Sequence, residues 1–321
     1  MKKWFRSGLV SLIAFVLCLG VPLVAGTAFA LDPNTIVSDD GEFALSAEAL
    51  GSTSFPSKGT GTLTAGGVLQ IPAEELNVPS LDELFGYQTE SVIGVDSRMR
   101  VTATTAYPNR AIAYLYVVFP NNAAGSCTGW FTGPRTVATA GHCVYSAADG
   151  GWAKTLRVYP GRNGTSMPYG YANKYRLFSV TGWTTSGSQY YDYATIQLSV
   201  AKGNTVGWFG FRWQSSNAFA GTYTVRGYPG DKPAATMWTM SGSVLSNSTY
   251  PRKLWYKMDT AGGQSGSPIF HVYNNQCCYG VGIHAYGAAN WPGSIPPYNS
   301  GTRINQAVFT NLLNWKNYRY P

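Results

Sequence analysis

The sequence predicts an all-β protein, a barrel or sandwich of many short strands with one amphipathic helix docked at its C-terminal end. Three observations carry that expectation. The 321 residues are 45% hydrophobic and 14% aromatic, and their 37 Gly and 18 Pro are dispersed, so the chain can bury a core and is neither disordered nor collagen-like. Charged residues make up 12%, against roughly 25% in an average soluble domain, and with abundant Gly, Ser, Thr and Tyr this points to a turn-rich β protein outside the cytosol. From Ser91 onward short apolar and aromatic runs alternate with Gly, Pro and Asn turns. Those runs, at 111–119, 156–159, 193–198, 223–225, 253–258, 268–272 and 281–284, read as strands. Ile304, Val308, Phe309, Leu312, Leu313 and Trp315 instead recur at helical spacing, which predicts the C-terminal helix.

Charge divides the chain into three pieces. Residues 1–30 carry Lys2, Lys3 and Arg6 and no acid, followed by an apolar run and Ala28-Phe29-Ala30, the pattern of a signal peptide cleaved before Leu31. Gly20, Pro22 and the small residues at the cleavage site favour removal over a membrane anchor, and Leu17 before Cys18 disfavours a lipoprotein, so no stable membrane association is expected. Residues 31–90 hold ten acids against Lys58 and a Gly/Ser/Thr-rich stretch from Gly51 to Gly67, the composition of a linker or acidic propeptide. Residues 91–321 hold 19 Lys and Arg against Asp96, Asp149, Asp192, Asp231 and Asp259, a net charge of +14. Such a leader beside such a body predicts electrostatic docking of one on the other.

Of the cysteines beyond the signal, Cys127 and Cys143 flank two strand-like runs and are placed to close a disulfide worth ~3 kcal/mol by loop entropy. A metal site is the rival reading, but His142 beside Cys143 lacks a Cys-x-x-Cys partner pair. Cys277 and Cys278 are adjacent and equally open to a vicinal disulfide, to free thiols or to cross-links between chains. With five Asp and no Glu after residue 90, no carboxylate cluster can be assigned to calcium; no metal ligand is named and no cofactor is expected.

Three strings carry chemistry: Thr139-Ala140-Gly141-His142-Cys143, Tyr191-Asp192-Tyr193-Ala194-Thr195-Ile196-Gln197-Leu198 and Gly262-Gly263-Gln264-Ser265-Gly266-Ser267-Pro268. A serine hydroxyl attacks at neutral pH only if a neutral imidazole takes its proton. His142 fits that role for Ser265, and Asp192 fits the role of fixing the ring's tautomer and stabilising the imidazolium. The glycines around Ser265 let the Gly263 and Ser265 amides face a developing oxyanion, where losing one donor typically costs ~3 kcal/mol of barrier.

These strings resemble those of trypsin/chymotrypsin-like serine peptidases, and in detail those of the bacterial glutamyl endopeptidase branch. The likeness runs from Ser91 to about Trp315 and includes Ser91-Val92-Ile93-Gly94, Pro160-Gly161-Arg162-Asn163-Gly164-Thr165 and Gly227-Tyr228-Pro229-Gly230-Asp231-Lys232. The resemblance implies two six-stranded antiparallel β-barrels, roughly 91–200 and 201–303, followed by the helix, with the active site between the barrels. It also implies secretion as a zymogen, a Cys127–Cys143 bridge and polypeptide substrates; a monomer is expected. Gln264 departs from the trypsin pattern, in which an aspartate there pairs with the new N-terminus, so activation must differ.

The resemblance offers two specificities. Asp259, six residues before Ser265, lies where a trypsin-like enzyme binds Lys or Arg. Against this, His284 and Thr260 match positions at which glutamyl endopeptidases, helped by the freed N-terminus (here Ser91), bind a substrate carboxylate. Residues 91–321 contain no Glu, whereas the leader has Glu42, Glu48, Glu74, Glu75, Glu83 and Glu90, the last directly before Ser91. An enzyme cutting after Glu, and more slowly after Asp, would spare itself and could release its own leader. The +14 field favours acidic substrates. A non-catalytic binding protein on the same fold is the further alternative, separable by Ser265→Ala; no nucleic-acid motif is visible, and nucleic acid is not an expected partner.

Overall fold

The computed structural model describes residues 32–41, 51–63, 71–86, 91–288 and 298–318. The expected signal peptide, Glu42, Glu48 and the Glu90 side of the junction before Ser91 lie outside the described residues. In chain order the elements are β1 Ile36–Ser38, β2 Thr53–Ser54, α1 Leu81–Phe85, β3 Met99–Val101, β4 Ile112–Val118, β5 Ala124–Phe131 and β6 Thr136–Thr139. There follow β7 Tyr145–Ser146, β8 Gly151–Trp152, β9 Thr155–Pro160, β10 Ala172–Val180, α2 Thr181–Thr184, β11 Ala194–Leu198, α3 Gly203–Val206 and β12 Gly210–Arg212. The rest are β13 Tyr223–Gly227, β14 Met237–Gly242, β15 Lys253–Tyr256, β16 Pro268–Tyr273, β17 Gln276–Tyr286, β18 Asn299–Arg303 and α4 Gln306–Asn317.

Six antiparallel strands in the order β10-β11-β6-β5-β4-β9 form the first barrel, closed where β9 returns to β10 at Val158–Ala172. The second runs β14-β13-β16-β17-β18-β15, and the backbone bridge between Leu245 and Trp255 joins its open edges. Strand β13 shows the period-two burial of a half-covered sheet, while β4 is buried at almost every position because both its faces are packed. Trp130 on β5 lies fully buried against Gly280 on β17, where a Cβ would come within 2.5 Å of the indole; the glycine lets the barrels close on each other. Residues 99–101, within the span expected for the first barrel, instead pair with β14 of the second sheet. Their approach is fixed by second-barrel groups: the Asp259 carboxylate accepts the Ile93 and Ser97 amides, and Arg98 pairs with Asp231.

The C-terminal helix is where the apolar spacing puts it. Asn305 caps α4 by accepting from the Val308 amide at 3.0 Å, and Val308, Phe309, Leu312 and Trp315 are buried on one face. Trp315 stacks on Phe178 at 6.0 Å between ring centres. Among the described residues no helix is long and apolar enough to cross a membrane.

The acidic leader is more ordered than its composition suggests. β1 adds to the edge of β10, β2 pairs with β12, and Ile36 and Leu81 are buried. Charge and backbone pairing act together here. Asp39 meets Lys174 at 2.6 Å, Asp40 meets Arg176, and the fully buried Glu75 pairs with Arg157 and Tyr159.

Candidate active site

Strand pairing brings His142 and Asp192 together. β6 and β11 align Thr139 with Ala194, so the short turn after β6, Gly141–Cys143, lies beside the residues leading into β11. The Cys127–Cys143 disulfide, with 6.2 Å between Cα atoms, ties that turn to β5. His142 donates its backbone amide to Asp192 Oδ1 at 3.0 Å, and its ring Nδ1 meets Asp192 Oδ2 at 2.8 Å. Both side chains are buried. Burial alone would raise the Asp192 carboxyl, but His142 and the Tyr286 hydroxyl, which donates at 2.5 Å, outweigh it and hold the group below the ordinary carboxylate range.

Ser265 sits in the turn between β15 and β16, held against the first barrel. The Thr128 amide donates to the Ser265 carbonyl at 2.8 Å, and the Thr128 hydroxyl donates to the Gly263 carbonyl at 2.8 Å. Gly266 has a φ of +89°, and a Cβ there would come within 2.0 Å of the Thr128 carbonyl oxygen; the turn needs glycine on both counts. The Gly263 amide faces the space in front of Ser265 and donates to Asp82 Oδ2 at 3.0 Å. Asp82 Oδ1 accepts from Ser265 Oγ at 3.3 Å and lies 3.5 Å from His142 Nε2.

The pocket residues form two groups. Ser91 is bound on both sides by Asn299, which accepts from its amide at 2.9 Å and donates to its carbonyl at 2.6 Å, and the Thr260 amide approaches the same carbonyl at 3.4 Å. Thr260 is fully buried, with Oγ1 lacking a hydrogen-bond partner. His284, on β17, lies between the Tyr256 hydroxyl at Nδ1 and the backbone of Ser300; burial pushes its pKa down to about 3, so the ring is neutral at pH 7. The Asp259 carboxylate holds the Ile93 amide at 2.8 Å and the Ser97 amide at 2.9 Å. Gln264 Oε1 accepts from Arg98 Nη1 at 3.3 Å and from the Ala261 amide at 3.0 Å.

Several members of the site were not singled out from the sequence. Tyr286 lies two residues after His284, but nothing in its spacing marks a hydroxyl aimed at Asp192. Lys253 is fully buried, its Nζ 4.1 Å from the Tyr286 ring centre; burial draws its pKa down to about 7, opposed by the Asp192 charge. For Asp82 a local signal existed, since Ser80-Leu81-Asp82-Glu83 is a capping-box sequence, but it announces a helix and not its destination. Cys127, His142 and Cys143 place potential ligand atoms within 4.8 Å of one another, yet both sulfurs are joined in the disulfide, so this group does not fit a metal. Cys277 and Cys278 are bonded to each other.

Comparison with known proteins bears on this geometry. The family model described as Trypsin matches residues 103–307. The chain is 50% identical over 235 residues to the glutamyl endopeptidase of Bacillus licheniformis, covering 72% of this chain and 71% of that one. It is 39% identical over 327 residues to a Bacillus subtilis protein named extracellular metalloprotease, covering 98% and 97%. Among solved structures, a Glu endopeptidase in complex with MPD superposes with a TM-score of 0.60 at 33% identity, over 71% of this chain and all of that one.

Proposed function

The chain belongs to the trypsin family of serine peptidases and is a serine endopeptidase, and on that premise we propose that it is a secreted zymogen whose mature form cleaves after Glu, and more slowly after Asp. In this proposal Ser265 attacks the scissile carbonyl as His142 takes its proton, with Asp192 orienting the ring. The Gly263 and Ser265 amides stabilise the oxyanion, the leaving amine takes the proton from His142, and water then releases the acyl group by the reverse sequence.

Asp259 carries most of the proposed preference. Its buried carboxylate is tied to the 93–97 segment by two backbone amides, one on each oxygen, and so serves that segment and is not held out to a Lys or Arg side chain. His284 and Thr260 are the groups offered to a substrate carboxylate. In this proposal the Tyr256 hydroxyl donates to Nδ1, which places the ring proton on Nε2 for the substrate carboxylate, and Thr260 Oγ1, which has no other hydrogen-bond partner, is the second donor. Ser91 beside Thr260 would add its ammonium once the bond before it is cut. The similarity to glutamyl endopeptidases, and the absence of Glu from residues 91–321, support the same preference.

Peptides differing only in the residue before the scissile bond test it. Glu should be cleaved fastest, Asp second and Lys or Arg negligibly, and His284→Ala should lower kcat/KM for the Glu peptide on the order of 100-fold, as expected for loss of hydrogen bonds to a charged group. Faster cleavage after Lys or Arg would return the pocket to Asp259.

A further inference from the structure

The segment before Ser91 places an acid in the catalytic centre. We propose that residues 73–86 are a built-in inhibitor whose Asp82 carboxylate occupies the oxyanion-binding position and keeps the uncleaved chain silent. Asp82 Oδ2 accepts from the Gly263 amide at 3.0 Å, and Oδ1 accepts from Ser265 Oγ at 3.3 Å and lies 3.5 Å from His142 Nε2. The side chain is 4% exposed, so these contacts are made out of water, where hydrogen bonds to a charged group are strongest.

Three features deliver the carboxylate there. The Ser126 amide donates to the Pro79 carbonyl at 2.9 Å, and Ser80 bridges to Ser126 in parallel, laying the segment along the start of β5. Ser80 then turns the chain into α1: its Oγ accepts from the Glu83 amide at 3.2 Å, while Glu83 Oε2 accepts from the Ser80 amide at 3.1 Å. Leu81 is fully buried against Gly125, where a Cβ would meet its Cδ2 at 2.5 Å. Upstream, the buried Glu75 holds Arg157 and Tyr159, fixing the far end of the same segment.

The arrangement blocks the reaction without feeding it. An acyl-transfer substrate presents an amide carbonyl to Ser265; Asp82 presents a carboxylate, whose negative charge makes its carbon a poor electrophile and which lies in a side chain that no peptide-bond cleavage could release. Its two oxygens accept from the Gly263 amide and the Ser265 hydroxyl, which also reaches the Ala285 carbonyl at 3.4 Å, and lie beside His142 Nε2, so Asp82 meets one oxyanion donor, the nucleophile and the base together.

This inference rests on the serine-peptidase reading, and its test separates the two. Full chains carrying Glu90→Gln, with intact mass confirming that the leader is still attached, are compared with and without Asp82→Ala for reaction with a fluorophosphonate probe and for hydrolysis of a Glu peptide. The Asp82→Ala chain should react on the order of 30-fold faster, the loss expected when a charged acceptor is removed from buried donors. Equal rates, while the processed enzyme reacts normally, would overturn the inhibitor and leave the peptidase intact. If the processed enzyme neither reacts nor hydrolyses, the peptidase reading fails and takes the inhibitor with it. Should the variant leader misfold, peptides spanning residues 71–86 added to the processed enzyme decide: the natural peptide should inhibit on the order of 30-fold more tightly than its Asp82→Ala version, and equal inhibition would overturn the proposal.

Discussion

Tyr286 illustrates how far single side chains set this site. Its hydroxyl donates to Asp192 Oδ2, the same oxygen that meets His142 Nδ1, so it stabilises the carboxylate and fixes the face it presents to the ring. Tyr286→Phe keeps the ring and removes the donor. We expect kcat to fall about 10-fold with KM nearly unchanged, because the lost bond keeps the Asp192 carboxylate ionised and aligned with the His142 ring that takes the proton, and is not made to the substrate; a change confined to KM would instead assign Tyr286 to substrate binding. At this scale the sequence was informative where chemistry demands a rare residue type. His142, Asp192 and Ser265 stand out as an ordered set, whereas Tyr286 and Lys253 are common residues in ordinary strand sequence, and only the register of β17 against β18 and β15 against β18 brings them behind Asp192.

Among the elements, those with strong local signals were legible. The helix read from the spacing of Ile304 to Trp315 is α4, because one apolar stripe and an Asn cap suffice to specify it. Replacing that cap, Asn305→Ala, should destabilise the fold by about 1 kcal/mol, read as a lower denaturation midpoint in a Ser265→Ala background that removes self-digestion; an unchanged midpoint would mean that packing of Trp315 and Phe309 alone holds the helix. Strands β4, β9, β11, β13 and β15 to β17 likewise coincide with apolar runs. What could not be read was pairing at a distance. Residues 99–101 carry no mark of belonging to the second sheet, and β1 and β2 lie in sequence whose Gly, Ser and acidic content suggests little burial; both gain order from edges supplied by strands over 100 residues away.

Across the whole molecule, charge organises the fold twice. The acidic leader and basic body meet through Asp39–Lys174, Asp40–Arg176 and Glu75–Arg157, as the segregation of charge along the chain anticipates. One cation, Lys253, is instead buried behind the site, with its pKa drawn from 10.5 to about 7. Between those values the unfolded chain binds the proton and the folded chain does not, so stability should rise with pH from about 7 to 10.5. Urea midpoints of the Ser265→Ala protein at pH 7 and pH 9.5 measure this rise; Lys253→Met should lessen it, the half-buried Lys316, drawn down to about 8, and Lys202 supplying the remainder, and an undiminished rise in that variant would attribute it to those groups alone.

The central claim is that Ser265 is a nucleophile activated by His142. Processed enzyme treated with a fluorophosphonate at neutral pH and digested for mass spectrometry should carry one adduct, on Ser265, and His142→Ala should abolish it while the fold survives. Peptide hydrolysis that continues with Ser265 unlabelled, or with the adduct on another residue, would contradict the account.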